Sequence, residues 1–260
     1  MYSLSVACLF RNEENSIVEW IEHYLFHGAE HIYLIDDSST DTSCELVKLY
    51  IERGVLTLFQ AKWNRYLGRQ RDMYNHFLMP ILHETQWLLI VDMDEYMWSP
   101  THVNMNHILK DCLHIGQIQV KHSLFGSNGH IAQPKTIVQS FIRRANEIQF
   151  PGNLKYFMNT NFKFSSINVH HATFVDKNDE LKHFLILNEK YFRLNHYCCQ
   201  SREFWDTVKC SRGDSDECRK RTPGDFESAD RNDVEDTSLL EQNMPLYTLA
   251  TSVDTVDRKE

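Results

Sequence analysis

Asp92 and Asp94 form an Asp-x-Asp pair inside "WLLIVDMDEYMW" (residues 87–98), directly behind five apolar residues. Burying a carboxylate is costly unless a cation or a metal receives it. One reading is therefore a strand end whose acids are solvated. The other is a hard divalent ion held where the strand opens into a cleft. Residues two apart on a strand point to one face, so both carboxylates can serve one ion. Oxygen-rich ligand sets of this kind suit Mn²⁺ or Mg²⁺.

The elements that would carry such a site can be read from the first hundred residues. "LSVACLF" (residues 4–10), "HIYLI" (31–35), "VLTLF" (55–59) and "WLLIV" (87–91) are short apolar runs of buried-strand type. Between the first two, Ile17, Trp20, Ile21, Tyr24 and Leu25 recur at helical spacing, with Gly28 at the C-cap position. Residues 44–53, ended by Gly54, and residues 69–82, stopped near Pro80, supply two more helices. This alternation predicts a parallel α/β sheet. Ligands of such sheets bind beyond the carboxyl ends of the strands. Polar clusters follow all four strands: residues 11–14, 36–41, 64–71 and 92–95. Their convergence on one edge favours a site over four solvated strand ends.

After Pro100, residues 103–112 read as a helix, and "IGQIQVKHSLFGSNGH", "TIVQSFIRR", "FKFSSINVHHATFV" and "KHFLILNEKYFRLNHY" read as extended segments. Residues 201–209 suggest a last short helix. The expected organisation is one domain over residues 1–212, followed by a polar, poorly packed tail over 213–260.

The chain has 260 residues, 42% of them hydrophobic, and a formal charge of −9. It can build a full core, and its acidity argues against nucleic-acid binding. Seven cysteines without Cys-x-x-Cys spacing suggest reduced thiols. With no signal-type N-terminus and no apolar run of 18 residues, the expectation is a cytoplasmic location without a membrane span.

"CLFRNEENSIVEWIEHYLFHGAEHIYLIDDSSTD", "QRDMYNH", "VDMDEYM", "HSLFGSNGH", a His-His pair and "LNHYCCQSREFW" occur in this order. Together they resemble glycosyltransferase family 92 and related family-2-like transferases, over roughly residues 4–213. The resemblance implies an α/β, single-domain GT-A fold with a mostly parallel, Rossmann-like central sheet. It implies a nucleotide-sugar donor, usually a UDP-sugar, and Mn²⁺ (or Mg²⁺) at the Asp-x-Asp motif. The acceptor would be a hydroxyl of a glycan or glycoprotein. His196, within the "NHY" triplet, would complete the metal set with Asp92 and Asp94. His170 and His171 match a family pair whose role is open between acceptor contact and structure. One departure is plain: relatives commonly carry a lysine-serine pair after "NHY", where this chain has Cys198-Cys199-Gln200-Ser201.

For the donor, the resemblance places Arg11, Glu13 and Asp36 near base and ribose, with a surface ion pair as the rival reading for Arg11 and Glu13. Arg71 lies on the helix whose start would face the site; a phosphate contact competes there with a solvated helix face. Lys209 and Arg212 could clamp the diphosphate in place of the missing lysine. An inverting transfer needs a carboxylate base at the acceptor hydroxyl, and Asp176, Asp179, Glu180 and Asp214 are candidates among which the sequence does not choose. A haloacid-dehalogenase-type phosphatase would carry its Asp-x-Asp after the first strand. A nucleotidyltransferase usually opens with a glycine-rich loop, which "ACLFRNEEN" lacks. A non-catalytic sugar- or nucleotide-binding module is the third alternative.

Overall fold

The computed structural model describes residues 1–147, 154–187, 189–212 and 221–254. In the first half of the chain β1 (Tyr2–Phe10), α1 (Ile17–Phe26), β2 (His31–Asp36), α2 (Ser43–Leu46), α3 (Lys48–Glu52), β3 (Leu56–Gln60), α4 (Arg69–Leu78) and β4 (Thr85–Ile90) alternate. The four strands pair in parallel in the order β3-β2-β1-β4. β2 is buried along its whole length, as a strand covered on both faces must be. α1 buries Ile17, Trp20, Ile21 and Tyr24, one apolar stripe of a 3.6-residue period. Gly28 follows it at φ +98°, and a Cβ there would run into the Asn104 side chain. Only glycine meets both conditions without strain.

The remaining strands are β5 (Glu95–Trp98), β6 (Gln117–Leu124), β7 (Arg143–Arg144), β8 (Leu154–Asn159), β9 (Phe164–Ile167), β10 (Ala172–Phe174), β11 (Phe184–Leu187), β12 (Arg193–His196) and β13 (Val234–Glu235). The main sheet continues from β4 as β8-β6-β12-β5, and β11 pairs with β6. This second half is mixed: β8 runs antiparallel to β4 and β6, while β12 is parallel to β6 and antiparallel to β5.

The order forces a curl. Four strand spacings separate β4 from β5, roughly 19 Å in a flat sheet. Residues 91–94 join them, and Glu95 N donates to Asp92 O at 3.1 Å, closing a tight turn. Such a connection reaches no more than about 14 Å. The sheet must therefore bend back on itself, bringing β5 and β12 to the end of β4.

Several expectations need correcting. Residues 44–53 form two short helices, and α4 ends at Leu78 with a 3₁₀ segment (Met79–Glu84) carrying Pro80. Of "TIVQSFIRR", only β7 is extended; Ser140 N and Phe141 N both donate to Ile137 O, so Ile137, Val138 and Phe141 are buried from a turn. β8 went unread in the sequence. The helices of the second half are α5 (Asn106–Leu109), α6 (Lys177–His183), α7 (Arg202–Phe204), α8 (Cys210–Arg212), α9 (Phe226–Ala229) and α10 (Ser238–Asp254), with a π turn (Trp205–Lys209) between α7 and α8.

Residues 221–248 are not a loose tail. β13 pairs with β7, and Asp236 joins Arg144 at 2.6 Å and also pairs with Arg193. Asn243 on α10 lies buried between His23 of α1 and His27 just after it, 2.8 Å from His27 Nε2. Polar composition hid this packing because it is made mostly by hydrogen bonds. No helix among the described residues is long and apolar enough to cross a membrane.

Candidate active site

The loops after β1 and β2 are stitched together at the carboxyl edge of the parallel strands. Asn12 N donates to Ser39 Oγ at 2.9 Å, Glu13 N to Ser43 Oγ at 2.8 Å, and Thr42 Oγ1 to Glu14 at 2.8 Å. Glu13 is buried and receives the Ser16 hydroxyl at 2.9 Å, which gives it a loop-bracing role. Asp36 is buried at the end of β2 and accepts from Ser39 N at 2.9 Å. Its neighbour Asp37 is ion-paired with buried Arg69 at the start of α4. The arginine singled out from sequence, Arg71, is exposed and pairs with Asp72 at 3.0 Å, so α4 turns Arg69 and Gln70 inward instead. Arg11 is half-buried beyond β1.

The two aspartates of the Asp-x-Asp pair have different partners. Asp92 accepts from Lys155 Nζ at 2.7 Å and from Gln70 at 3.4 Å, and its N–H donates to Glu95 Oε2 at 2.8 Å. Asp94 meets His196 Nε2 at 3.5 Å and Lys209 Nζ at 2.6 Å. His196 reaches it because Tyr197 N donates to Asp94 O at 2.8 Å, tying β12 to the turn after β4. The structure thus brings Asp94 and His196 together, with Asp92, two residues before Asp94, on a separate lysine.

The electrostatics follow from burial. Desolvation alone would raise the Asp94 carboxyl, but the Lys209 ammonium and the His196 imidazole hold it well below the usual carboxylate range. Against the same desolvation, Asp94 pushes His196 up to about 9. Burial pushes Glu95 up to about 7, although Lys155 opposes it. Burial, assisted by His196 and Lys155, pulls His122 down to about 3. Desolvation works against the Lys155 ammonium, yet Asp92 and Glu95 raise it above its ordinary value.

Asp94 and His196 fit a divalent ion on their own terms: an oxygen and a nitrogen donor, close together, with an ammonium already neutralising the carboxylate. Lys209, expected at a donor diphosphate, is that ammonium. It sits on the π turn, a distortion of a kind frequent at functional sites. Arg212 closes α8, and Asp214 lies outside the described residues. The other base candidates are misplaced. Asp176 caps α6, and Asp179 and Glu180 lie in its first turn. α6 leads into β11 beside Gly116, whose N–H donates to His183 O at 2.7 Å. The six residues of β6 from there to His122 put them roughly 20 Å from the site.

Sequence reasoning missed Lys155, Arg69 and Gln70. A lysine inside the apolar run "LKYFM" was the available signal for the first, since a buried lysine demands a carboxylate partner. His170 borders the same region, its Nδ1 3.1 Å from Leu154 O, while His171 is exposed.

A parallel β3-β2-β1-β4 half-sheet with an Asp-x-Asp turn at its carboxyl edge, continued by a mixed and curled half, is the GT-A architecture of glycosyltransferases. The comparison with known sequences gives the family. Residues 1–235 match glycosyltransferase family 92, and the chain belongs to that family. A family 92 protein of Arabidopsis thaliana is 23% identical over 223 residues, 80% of this chain and 36% of that protein. One of Ricinus communis is 23% identical over 141 residues, 54% of this chain and 23% of that protein. The chain therefore spans about a quarter to a third of the length of these relatives. Among solved structures, S. aureus TarS 1-349 in complex with UDP-GlcNAc superposes with a TM-score of 0.44 at 17% identity, covering 87% of this chain and 64% of that one.

Proposed function

We propose that this chain transfers a sugar from a nucleoside-diphosphate sugar, a UDP-sugar foremost, to a hydroxyl of a glycan or glycoprotein acceptor, with inversion and with Mn²⁺ or Mg²⁺ as cofactor. The observation that carries the reading is Asp94 held between His196 and Lys209 at the carboxyl edge of the sheet, in a family 92 chain. In this reading Asp94 and His196 hold the ion, with Asp92 completing the set directly or through water. The ion, when bound, stabilises charge developing on the departing diphosphate as a Lewis acid. Lys209 releases Asp94 to the ion and turns to the diphosphate, with Arg212 beside it. Asp36, buried where the parallel strands end, receives the base or ribose, and Arg11 flanks it. Lys155 fixes Asp92 in orientation.

The test is incubation of the purified protein with UDP-, GDP- and dTDP-sugars, with Mn²⁺ or with excess chelator, scoring donor hydrolysis. Metal-dependent hydrolysis of one donor class is expected. Binding of nucleotide without turnover of any donor would leave a binding module in its place.

A further inference from the structure

We infer that Glu95, His122 and His196 form a second cation site, selective for a borderline transition ion of the Zn²⁺ class. The three residues sit on three adjacent strands, β5, β12 and β6. His196 is paired in register with Glu95 across β12 and β5, and His122 with Leu194 across β6 and β12. Paired residues and residues two apart share a face, so Glu95, His196 and His122 all project from the same side of the sheet. One donor atom from each lies within 4.8 Å of the other two. Around a tetrahedral Zn²⁺ such atoms stand roughly 3.3–3.5 Å apart, a contraction that small side-chain rotations supply.

A second observation points to a ligand. His196 Nδ1 is buried and has no hydrogen-bond partner among the described residues. A buried ring nitrogen without a partner is costly, and coordination would satisfy it. The rings of His122 and His196 are 5.2 Å apart at their centroids. Glu95 uses Oε2 for Asp92 N and Lys155, and a carboxylate has a second oxygen to offer. Two imidazoles and one carboxylate make a nitrogen-rich set. That set favours Zn²⁺ or Co²⁺, whereas the oxygen-led set at the Asp-x-Asp turn favours Mn²⁺ or Mg²⁺.

His196 belongs to both sets. On the functional reading above, a Zn²⁺-class ion on Nδ1 competes with Mn²⁺ for the same ring, whose Nε2 faces Asp94. The second site itself stands without that reading.

The experiment is Co²⁺ titration of chelator-treated protein, followed by visible d–d absorption, with Zn²⁺ displacing Co²⁺. One equivalent should bind. Glu95→Gln and His122→Asn, which remove donor atoms, should each weaken binding by about a hundredfold or more, while Asp94→Asn, which removes only the acceptor behind His196 Nε2, should cost about tenfold. Unmutated protein supplies an independent measurement: Zn²⁺ should shift the imidazole NMR signals of His122 and His196, but not those of exposed His107. Absence of one-equivalent binding would overturn the site. So would an equal loss in Asp94→Asn, or thiolate-to-cobalt bands that vanish in Cys198→Ser. Failure of donor turnover with these results intact would count against the transferase reading alone.

Discussion

Lys209 Nζ lies 2.6 Å from Asp94 Oδ2, on the carboxylate that also faces His196. On the proposed reading the ammonium and an incoming divalent ion therefore compete. Lys209→Met should tighten Mn²⁺ binding by about tenfold, the scale of one charge-assisted hydrogen bond, and should lower donor turnover. Asp94→Asn should cut turnover by at least about a hundredfold with the fold intact. Calorimetry with Mn²⁺ and a donor-hydrolysis assay read the two effects. Looser metal binding in Lys209→Met would show that the lysine supports the ion instead of excluding it.

Asp36 ends β2 inside the crevice and accepts from Ser39 N. Asp36→Ala should weaken UDP binding by about 1–3 kcal/mol, the worth of a hydrogen bond to a charged group. Unchanged UDP affinity in calorimetry would remove Asp36 from the donor pocket.

Lys155 is 1% exposed and stands between Asp92 and Glu95. Lys155→Met leaves both without a counter-charge. The expected loss is about 3 kcal/mol, at the low end for a broken buried pair. Asp92 is 36% exposed, which screens part of the effect. Urea unfolding should show it as a lower midpoint at unchanged slope. A change under about 0.5 kcal/mol would mean that solvent replaces the lysine.

Burial drives His23 well below its ordinary pKa, with His27 beside it adding to the shift, and burial lowers His27 as well. Their folded values lie below the unfolded value of about 6.5, so the unfolded chain binds more protons as pH falls through 6.5. The pair's contribution is complete above that pH and is lost beneath it. Urea midpoints should therefore drop between pH 7.5 and pH 5.5. Glu95, raised to about 7, works in the opposite direction. His27→Gln isolates the pair: its midpoint should fall less on acidification than the parent's. An equal fall in both proteins would discard the assignment.

The first half of the fold was legible because each strand is an apolar run of the right length and α1 carries one buried apolar stripe. β8 escaped because its lysine and asparagine break the apolar pattern, although Lys155 is buried against Asp92. The C-terminal segment escaped for a related reason: Asp236 and Asn243 look like solvent-facing residues until Arg144, Arg193, His23 and His27 are found around them. At the site, the sequence pointed to Asp94, His196 and Lys209, the last as a diphosphate clamp, but not to Lys155 or to either lysine's pairing with an acid. Such partners are set by which distant strands become neighbours, and no local spacing encodes that.

The curled sheet also dictates when the site can appear. Asp94 and His196 are separated by roughly a hundred residues, and closing so long a loop is a slow, entropically costly step that only the finished sheet repays. No fragment ending before β12 contains the pair. The chain emerging from a ribosome thus carries two bare aspartates at Asp92 and Asp94 until β8 delivers Lys155, β12 delivers His196 and the π turn delivers Lys209. On the proposed reading, affinity for a divalent ion is then a readout of chain completion: it arises with the last third of the fold and vanishes with the first partial unfolding that lifts β12 from β5.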